Sequence, residues 1–179
     1  MNRLNVTRKR AVLIILGAAV LAAAAGCRRM PLDTRDALEE RNKALVRRWI
    51  EEGFNQRKLT VVDELFIEGF VVNGQVIGRD GLKQGMSRHL TGFPDLHVTI
   101  EDMLADGPKV GVWYMVEGTH QGEFETIPPT GKHAKWTGFD LFTVEGDKIA
   151  KARFLSDFHG LLTQLGVSVS MPSKPGVRP

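Results

Sequence analysis

Cysteine is almost absent from this sequence of 179 residues, in which Cys27 is the single example. A disulfide within the chain is therefore excluded, and a hydrophobic core must hold the fold together, for which about 130 foldable residues suffice. The five histidines form no His-x-His or His-x-x-x-His pair, so we expect no metal site. A glycine-rich phosphate loop and a nucleophile elbow are also missing from the sequence.

Long apolar runs are scarce as well, and the one that occurs lies at the start of the chain. Ala11–Ala25 carries no charge and follows a basic segment that has no acidic residue. Its 15 residues span roughly 22 Å as a helix, short of the roughly 30 Å of a bilayer core. We therefore interpret residues 1–26 as a secretory signal and not as a permanent membrane span.

Removal of this signal changes the charge of the chain. The formal net charge of +3 becomes −1 because Arg3, Arg8, Lys9 and Arg10 are lost. Non-specific binding to nucleic acid requires a persistent positive field, so we expect no nucleic-acid partner.

Cys27 directly follows the small residues Ala24, Ala25 and Gly26, a pattern that resembles a bacterial lipobox. The match departs at Ala24, where such boxes usually have leucine. This interpretation predicts lipidation of Cys27, a tether over residues 27–35 and a protein anchored to a membrane of the bacterial cell envelope. The alternative is ordinary signal-peptidase cleavage that leaves a free thiol near the new terminus.

Hydrophobic periodicity divides the rest of the chain into a helical first half and a strand-rich second half. Helical spacing predicts a helix from Asp33 to near Gly53, a short one beginning at Thr60, and one over 79–90, with a strand and turn over 70–77. Period-two spacing predicts strands at roughly 96–105, 109–121, 132–145 and 148–157, followed by a helix over 158–165 and a flexible tail over 168–179. Helices segregated before an antiparallel meander indicate an α+β domain over 36–167.

Two stretches carry a more specific pattern. The first contains Gly-Thr-His-Gln-Gly-Glu-Phe over 118–124, Ile-Pro-Pro-Thr-Gly-Lys over 127–132 and Trp-Thr-Gly-Phe-Asp-Leu-Phe over 136–142. The second runs from Asp-Lys-Ile at 147–149 to Ser-Asp at 156–157 and Gly-Leu-Leu-Thr-Gln-Leu-Gly at 160–166. Together they resemble the SnoaL-like polyketide cyclases, or ester cyclases, of the nuclear-transport-factor-two-like superfold, over about residues 38–167.

This resemblance implies a cone-shaped α+β barrel in which a curved antiparallel sheet is wrapped by about three helices. It also implies an apolar pocket, a homodimer through the sheet, and intramolecular aldol cyclisation without metal or organic cofactor. The family motif places a general acid/base at Asp157 and a pocket histidine at His120. For Asp157 the residues themselves leave a helix N-cap as an equal alternative, and for His120 a hydrogen-bonded wall residue.

Other positions bear on the pocket. Relatives commonly have arginine in place of Trp113 and tryptophan in place of Arg153. Arg153 shares its strand face with Leu155 and Asp157, which favours an inward orientation, and Trp136 is a core aromatic that can also form pocket wall. We therefore take Trp113, Trp136 and Arg153 as candidate substrate-pocket residues.

The sequence leaves three functions open. The first is a cyclase- or isomerase-type enzyme that acts on a small hydrophobic carbonyl compound by acid/base catalysis. The second is a binding module that holds an apolar ligand at the membrane surface. The third is a structural lipoprotein that docks a partner through its sheet. Fold alone does not decide between them.

Overall fold

The computed structural model describes residues 32–167. The signal over 1–26, Cys27 and the tail over 168–179 lie outside the described residues, as does most of the tether. From Arg35 onward the described chain forms one compact unit. Within residues 32–167, none of the helices is long and apolar enough to cross a membrane.

Within residues 32–167, four α-helices are present at the predicted places. They are α1 (Leu32–Arg48), α2 (Val61–Leu65), α3 (Gly78–Gly92) and α4 (Phe158–Leu165). A π-helical segment, Trp49–Asn55, continues α1 and buries Trp49 and Ile50. Gly53 is required there because a Cβ atom would lie 2.8 Å from the Trp49 ring. Helix α2 begins directly after Thr60, as predicted, but the Thr60 side chain makes no capping hydrogen bond.

In the part of the chain that the structure describes, six strands form one curved sheet. They are β1 (Phe66–Val72), β2 (Gln75–Val76), β3 (His97–Asp106), β4 (Lys109–Thr119), β5 (His133–Glu145) and β6 (Lys148–Ser156). Their order is β2-β1-β6-β5-β4-β3. The predicted meander β3 to β6 is antiparallel, but β1 runs parallel to β6, so the sheet as a whole is mixed.

The core lies between the inner face of this sheet and the helices. In β4 and β5 the even-numbered side chains turn inward, as Val112, Val116, Trp136 and Phe142 do in the buried cluster that also contains Trp49 from the π-helical segment. Alternation along a strand fixes this division, because successive side chains point to opposite faces. The architecture is the expected cone-shaped α+β fold of the nuclear-transport-factor-two-like type.

Candidate functional site

A cavity of about 510 Å³ opens between the inner face of the sheet and helix α3. Most of its lining is apolar, so water inside it is poorly satisfied and an apolar ligand is favoured. The apolar lining side chains are Trp49, Ile50, Phe54, Val72, Ile77, Leu82, Met86, Leu96, Val98, Val116, Trp136 and Phe154. Polar groups enter it at two places, the sheet floor and the face of α3.

The floor carries a carboxyl group paired with a phenol. Asp140 lies on β5 at an inward position between the buried residues Trp136 and Phe142, and it is only 9% exposed. The Tyr114 hydroxyl, from the neighbouring strand β4, donates a hydrogen bond to Asp140 Oδ1 over 3.2 Å. Both residues line the cavity. The pair therefore presents an acid or base next to a hydroxyl donor in an apolar enclosure.

A missing side chain makes this pair possible. Gly138 is the register partner of Tyr114, and a Cβ atom there would lie 2.4 Å from both Cζ and Oη of Tyr114. The Tyr114 ring can lie over position 138 and reach Asp140 only because Gly138 has no side chain. The Trp-Thr-Gly-Phe-Asp segment thus supplies both the carboxyl group and the space for its partner.

Burial changes the ionisation of both groups. Burial raises the pKa of Asp140 to about 7, although the hydrogen bond from Tyr114 acts to lower it. Burial, and secondarily the nearby Asp140 charge, raise the pKa of Tyr114 far above its usual range. Near pH 7 the carboxyl group therefore exchanges its proton readily, whereas the phenol keeps its own and remains a donor.

Helix α3 contributes a neutral histidine. His89 lines the cavity, and its Nδ1 lies 2.9 Å from the carbonyl oxygen of Gly85. Because a carbonyl oxygen only accepts, Nδ1 carries the proton and Nε2 has a free lone pair. Burial lowers the pKa of His89, so the ring is uncharged near pH 7. Nε2 can accept a hydrogen bond from a hydroxyl group of a ligand.

The opening is marked by lining residues that are also exposed to solvent. They are Gln84 and Arg88 on α3 and Ser156 at the end of β6. Gln84 and Arg88 are four residues apart and therefore share one face of the helix. The cavity thus has a carboxyl–phenol floor and a mouth with a guanidinium group.

Asp157 lies outside this cavity lining. Its side chain is exposed and accepts a hydrogen bond of 2.8 Å from the backbone N–H of Gly160, which makes it the N-cap of α4. A Cβ atom on Gly160 would lie 2.1 Å from Asp157 Oδ2, so the glycine leaves room for the cap. The geometry matches the capping alternative; the catalytic role of Asp157 stays a prediction.

His120 is fully buried but is likewise outside the cavity lining. Its Nδ1 lies 3.1 Å from Thr130 Oγ1 and accepts the Thr130 backbone N–H over 3.3 Å. Its ring packs on Phe93 with 5.2 Å between centroids. Burial lowers the pKa of His120, so it is neutral near pH 7. These contacts are those of a wall residue that fixes the loop around Thr130.

The three candidate pocket residues divide between the two faces of the sheet. Trp136 lines the cavity. Trp113 is 46% exposed and is the register partner of Phe139 on the opposite, outer face. Arg153 is also exposed, next to the 71% exposed Leu155. The expected inward orientation of Arg153 is therefore corrected: the face that it shares with Leu155 is the outer one, because Ala152 and Phe154 take the inward positions.

Sequence reasoning missed the polar cavity residues Tyr114, Asp140, Arg88 and His89. A signal for Asp140 was present, because a single carboxyl group occupies an inward position in a strand whose other inward residues are apolar or glycine. Tyr114 is the one tyrosine of the sequence, but its link to Asp140 depends on a diagonal contact between strands. That the Tyr114 side chain lies on the inner face becomes evident only in the folded sheet.

Comparison with known proteins agrees with this architecture. A candidate SnoaL-like polyketide cyclase from Jannaschia sp. CCS1 is similar in structure with a TM-score of 0.68 and 24% identity, covering 80% of this chain and 100% of that one. AclR, a candidate hydroxylase from Streptomyces galilaeus, has a TM-score of 0.65 and 23% identity, and the match covers 72% of this chain and 97% of that one. IdmH, a candidate polyketide cyclase from Streptomyces antibioticus, has a TM-score of 0.63 and 26% identity, and the match covers 70% of this chain and 99% of that one.

At the sequence level, no curated protein matches the chain. Residues 44–165, however, match the SnoaL-like polyketide cyclase family. This segment begins within α1 and ends at the last residue of α4, so it includes the whole sheet and every residue that lines the cavity. The chain belongs to the SnoaL-like polyketide cyclase family.

Proposed function

We propose that this protein is a cofactor-independent enzyme that rearranges or cyclises a small hydrophobic carbonyl compound, with Asp140 as its general base and acid. The observation that carries the proposal is the Asp140–Tyr114 pair on the floor of an apolar cavity of about 510 Å³. A base is most effective when its pKa is close to the working pH, and burial raises the pKa of Asp140 to about 7.

The chemistry begins with removal of a proton from the carbon next to a carbonyl group. The Asp140 carboxylate takes that proton, the C–H electron pair becomes the C=C bond of an enolate, and the carbonyl π pair moves to oxygen. Tyr114 donates its hydrogen bond to this oxygen. The newly protonated Asp140 can donate to the phenol oxygen in turn, so both hydrogens have acceptors at this step.

Ring closure completes the sequence. The enolate carbon attacks a second carbonyl carbon of the same molecule, which forms one C–C bond and leaves an alkoxide. The alkoxide takes the proton from Asp140 and returns the base to its ionised form. The product is an isomer of the substrate, so no oxidant, reductant or leaving group is required.

Proton abstraction can be tested before the natural substrate is known. Acetylnaphthalene, an apolar ketone, exchanges its methyl protons for deuterium in deuterium oxide when a base removes them, and NMR follows the loss of signal. We expect the protein to accelerate this exchange, with a rate that rises through a pH of about 7 as Asp140 ionises. Asp140→Asn abolishes the acceleration because an amide cannot act as the base.

Asp157→Asn is the matched control. Asparagine caps a helix about as well as aspartate, so this variant keeps α4 and removes only a carboxylate outside the cavity. Full exchange activity in Asp157→Asn, with none in Asp140→Asn, supports the proposal. The reverse pattern contradicts it and returns the role of base to Asp157. Binding of the ketone without any acceleration favours the non-catalytic binding module.

We propose further that the protein is exported and lipid-anchored at Cys27. Three features of the sequence support this proposal: the basic start, the short apolar run and the small residues before the cysteine. Cys27→Ser removes the thiol that carries the lipid. We expect this variant to appear as a soluble form or an uncleaved precursor when membranes are extracted with detergent. Identical partitioning and identical N-terminal mass for both proteins contradict the anchor.

A homodimer through the outer face of the sheet is the third part of the proposal. Trp113, Phe139 and Leu155 are register partners across β4, β5 and β6, and they form an apolar row on that face. Leu104, which is 58% exposed, lies beside it on β3. Apolar patches of this kind are typical of sites where proteins associate.

A further inference from the structure

The mouth of the cavity carries a guanidinium group that the proposed proton transfer does not use. Among the described residues that line the cavity, Arg88 and Asp140 are the two that carry formal charges, and Asp140 lies on the floor. A ligand that enters therefore meets a fixed positive charge at the mouth and the Asp140–Tyr114 pair at the floor.

Arg88 is covered by one carboxylate, which lies on a strained turn. Its Nε lies 3.3 Å from Glu125 Oε1, and both side chains are about half exposed. Glu125 and Thr126 have φ angles of 46° and 66° at the centre of a tight turn that is closed by hydrogen bonds between Phe124 and Ile127. This is the turn class that glycine and asparagine normally occupy, and a β-branched threonine is unfavourable there.

The turn is held against α3 from below. Phe124 is buried, its ring packs on His89 with 5.0 Å between centroids, and a Cβ atom on Gly92 would lie 2.7 Å from the Phe124 Cβ. Glu125 is thus kept beside Arg88 by the packing of its neighbour. Strained residues that persist in this way are concentrated at functional sites.

The Glu125 contact is weak enough to be exchanged. It is a single long contact between exposed side chains, and such pairs contribute little because water competes for both charges. A carboxylate on a ligand can instead form two parallel hydrogen bonds with the guanidinium group. Gln84 lies on the same helix face, and its amide adds a donor at the mouth.

We propose that Arg88 is an anion-binding residue and that the substrate is an apolar ketone with a carboxylate, whose carboxylate displaces Glu125 at the mouth while its carbonyl reaches the Asp140–Tyr114 pair. This inference rests on the proposed function and specifies its substrate class. Arg88 binds the carboxylate end, Glu125 occupies the site when it is empty, and neither residue takes part in proton transfer.

Two probes separate this inference from the proposed function. Acetylnaphthoate carries a ketone and a carboxylate, whereas acetylnaphthalene carries the ketone alone, and calorimetric titration of the purified protein gives a Kd for each. We expect Arg88→Gln to raise the Kd of acetylnaphthoate at least about tenfold and to leave the Kd of acetylnaphthalene unchanged. Glu125→Gln removes the competing carboxylate, and we expect it to lower the Kd of acetylnaphthoate by about two- to fivefold.

Arg153→Gln is the matched control, because it removes an exposed arginine from the outer face of the sheet, away from the cavity. It should change neither Kd. Equal effects of Arg88→Gln on the two probes, or equal effects of Arg88→Gln and Arg153→Gln on acetylnaphthoate, overturn the inference and leave the role of Asp140 intact. Failure of both probes to bind the original protein contradicts the inference and the proposed function together.

Discussion

Successive residues of each strand lie on opposite faces of the sheet, and the two faces differ in the kinds of side chain that they carry. On the inner face Tyr114 and Asp140 place polar groups among buried apolar side chains. On the outer face Trp113 and Leu155 expose 46% and 71% of their surface. Proteins usually bury apolar groups and expose polar ones, so both faces depart from the common pattern. Such departures lower stability and are typical of surfaces that are retained for function.

The largest effect is expected for the buried carboxyl group of the inner face. The pKa of Asp140 is about 7 in the folded protein and about 3.8 when exposed, a difference that corresponds to about 4 kcal/mol. Between these two values the folded state holds a proton that the unfolded state has released, so raising the pH favours unfolding. This loss of stability develops from a pH of about 4 to about 7 and is then complete.

Asp140→Asn removes the titrating group. We expect the variant to be more stable than the original protein at a pH of about 8, by up to about 4 kcal/mol, and to gain less at a pH of about 5. Urea unfolding at both pH values measures the two differences. A gain that is the same at both pH values would show that Asp140 titrates normally and would remove the basis for its role as a base.

A smaller effect is expected for the glycine that gives Tyr114 its place. In Gly138→Ala the new methyl group would lie 2.4 Å from Tyr114 Oη, so the ring must move away from Asp140. Overpacking of this kind costs about 1 to 3 kcal/mol. Because the sequence has a single tyrosine, NMR of ¹³C-labelled tyrosine reports its ionisation directly, and we expect the pKa of Tyr114 to fall toward its usual range.

Gly69→Ala provides the control for this substitution. Gly69 also lies in a strand, β1, but no atom is within 4 Å of the position that its Cβ would occupy. It should therefore fold with unchanged stability and an unchanged tyrosine signal. If Gly138→Ala behaved in the same way, Tyr114 would not depend on the space at position 138.

The two faces of the sheet also show which features of the fold the sequence predicts and which it does not. Local signals place the elements well: α4 ends at Leu165 because Gly166 adopts a left-handed conformation with φ of 84°. The strand meander likewise follows from turns such as the one at Gly107. Alternation, however, states only which residues share a face, and here both faces carry aromatic side chains. The sequence therefore groups Arg153 correctly with Leu155 but does not show that the face they share is the outer one.

The candidate site depends on still longer-range information. Asp140 gains its raised pKa from burial by several elements, and its contact with Tyr114 runs diagonally between strands. The family motif directed attention to Asp157 and His120, which are respectively a helix cap and a buried wall residue in the fold. Neither the cavity nor its mouth at Arg88 follows from the spacing of residues along one strand or helix.

The smallest effect on folding is expected for Leu155, on the outer face of the sheet. Leu155 is 71% exposed, so Leu155→Ser should change the free energy of unfolding of the monomer by no more than about 0.5 kcal/mol. A stable dimer through this face buries on the order of 1,000 Å² or more, and a polar group in its centre weakens association.

Val76→Ser is the matched control, because Val76 is 74% exposed but lies on β2 at one edge of the sheet, separated from β5 and β4 by β1 and β6. Sedimentation at tens of micromolar should give a dimer for the original protein and for Val76→Ser, and a monomer for Leu155→Ser. A monomeric original protein, or a dimer that survives Leu155→Ser unchanged, contradicts association through the row of Trp113, Phe139 and Leu155.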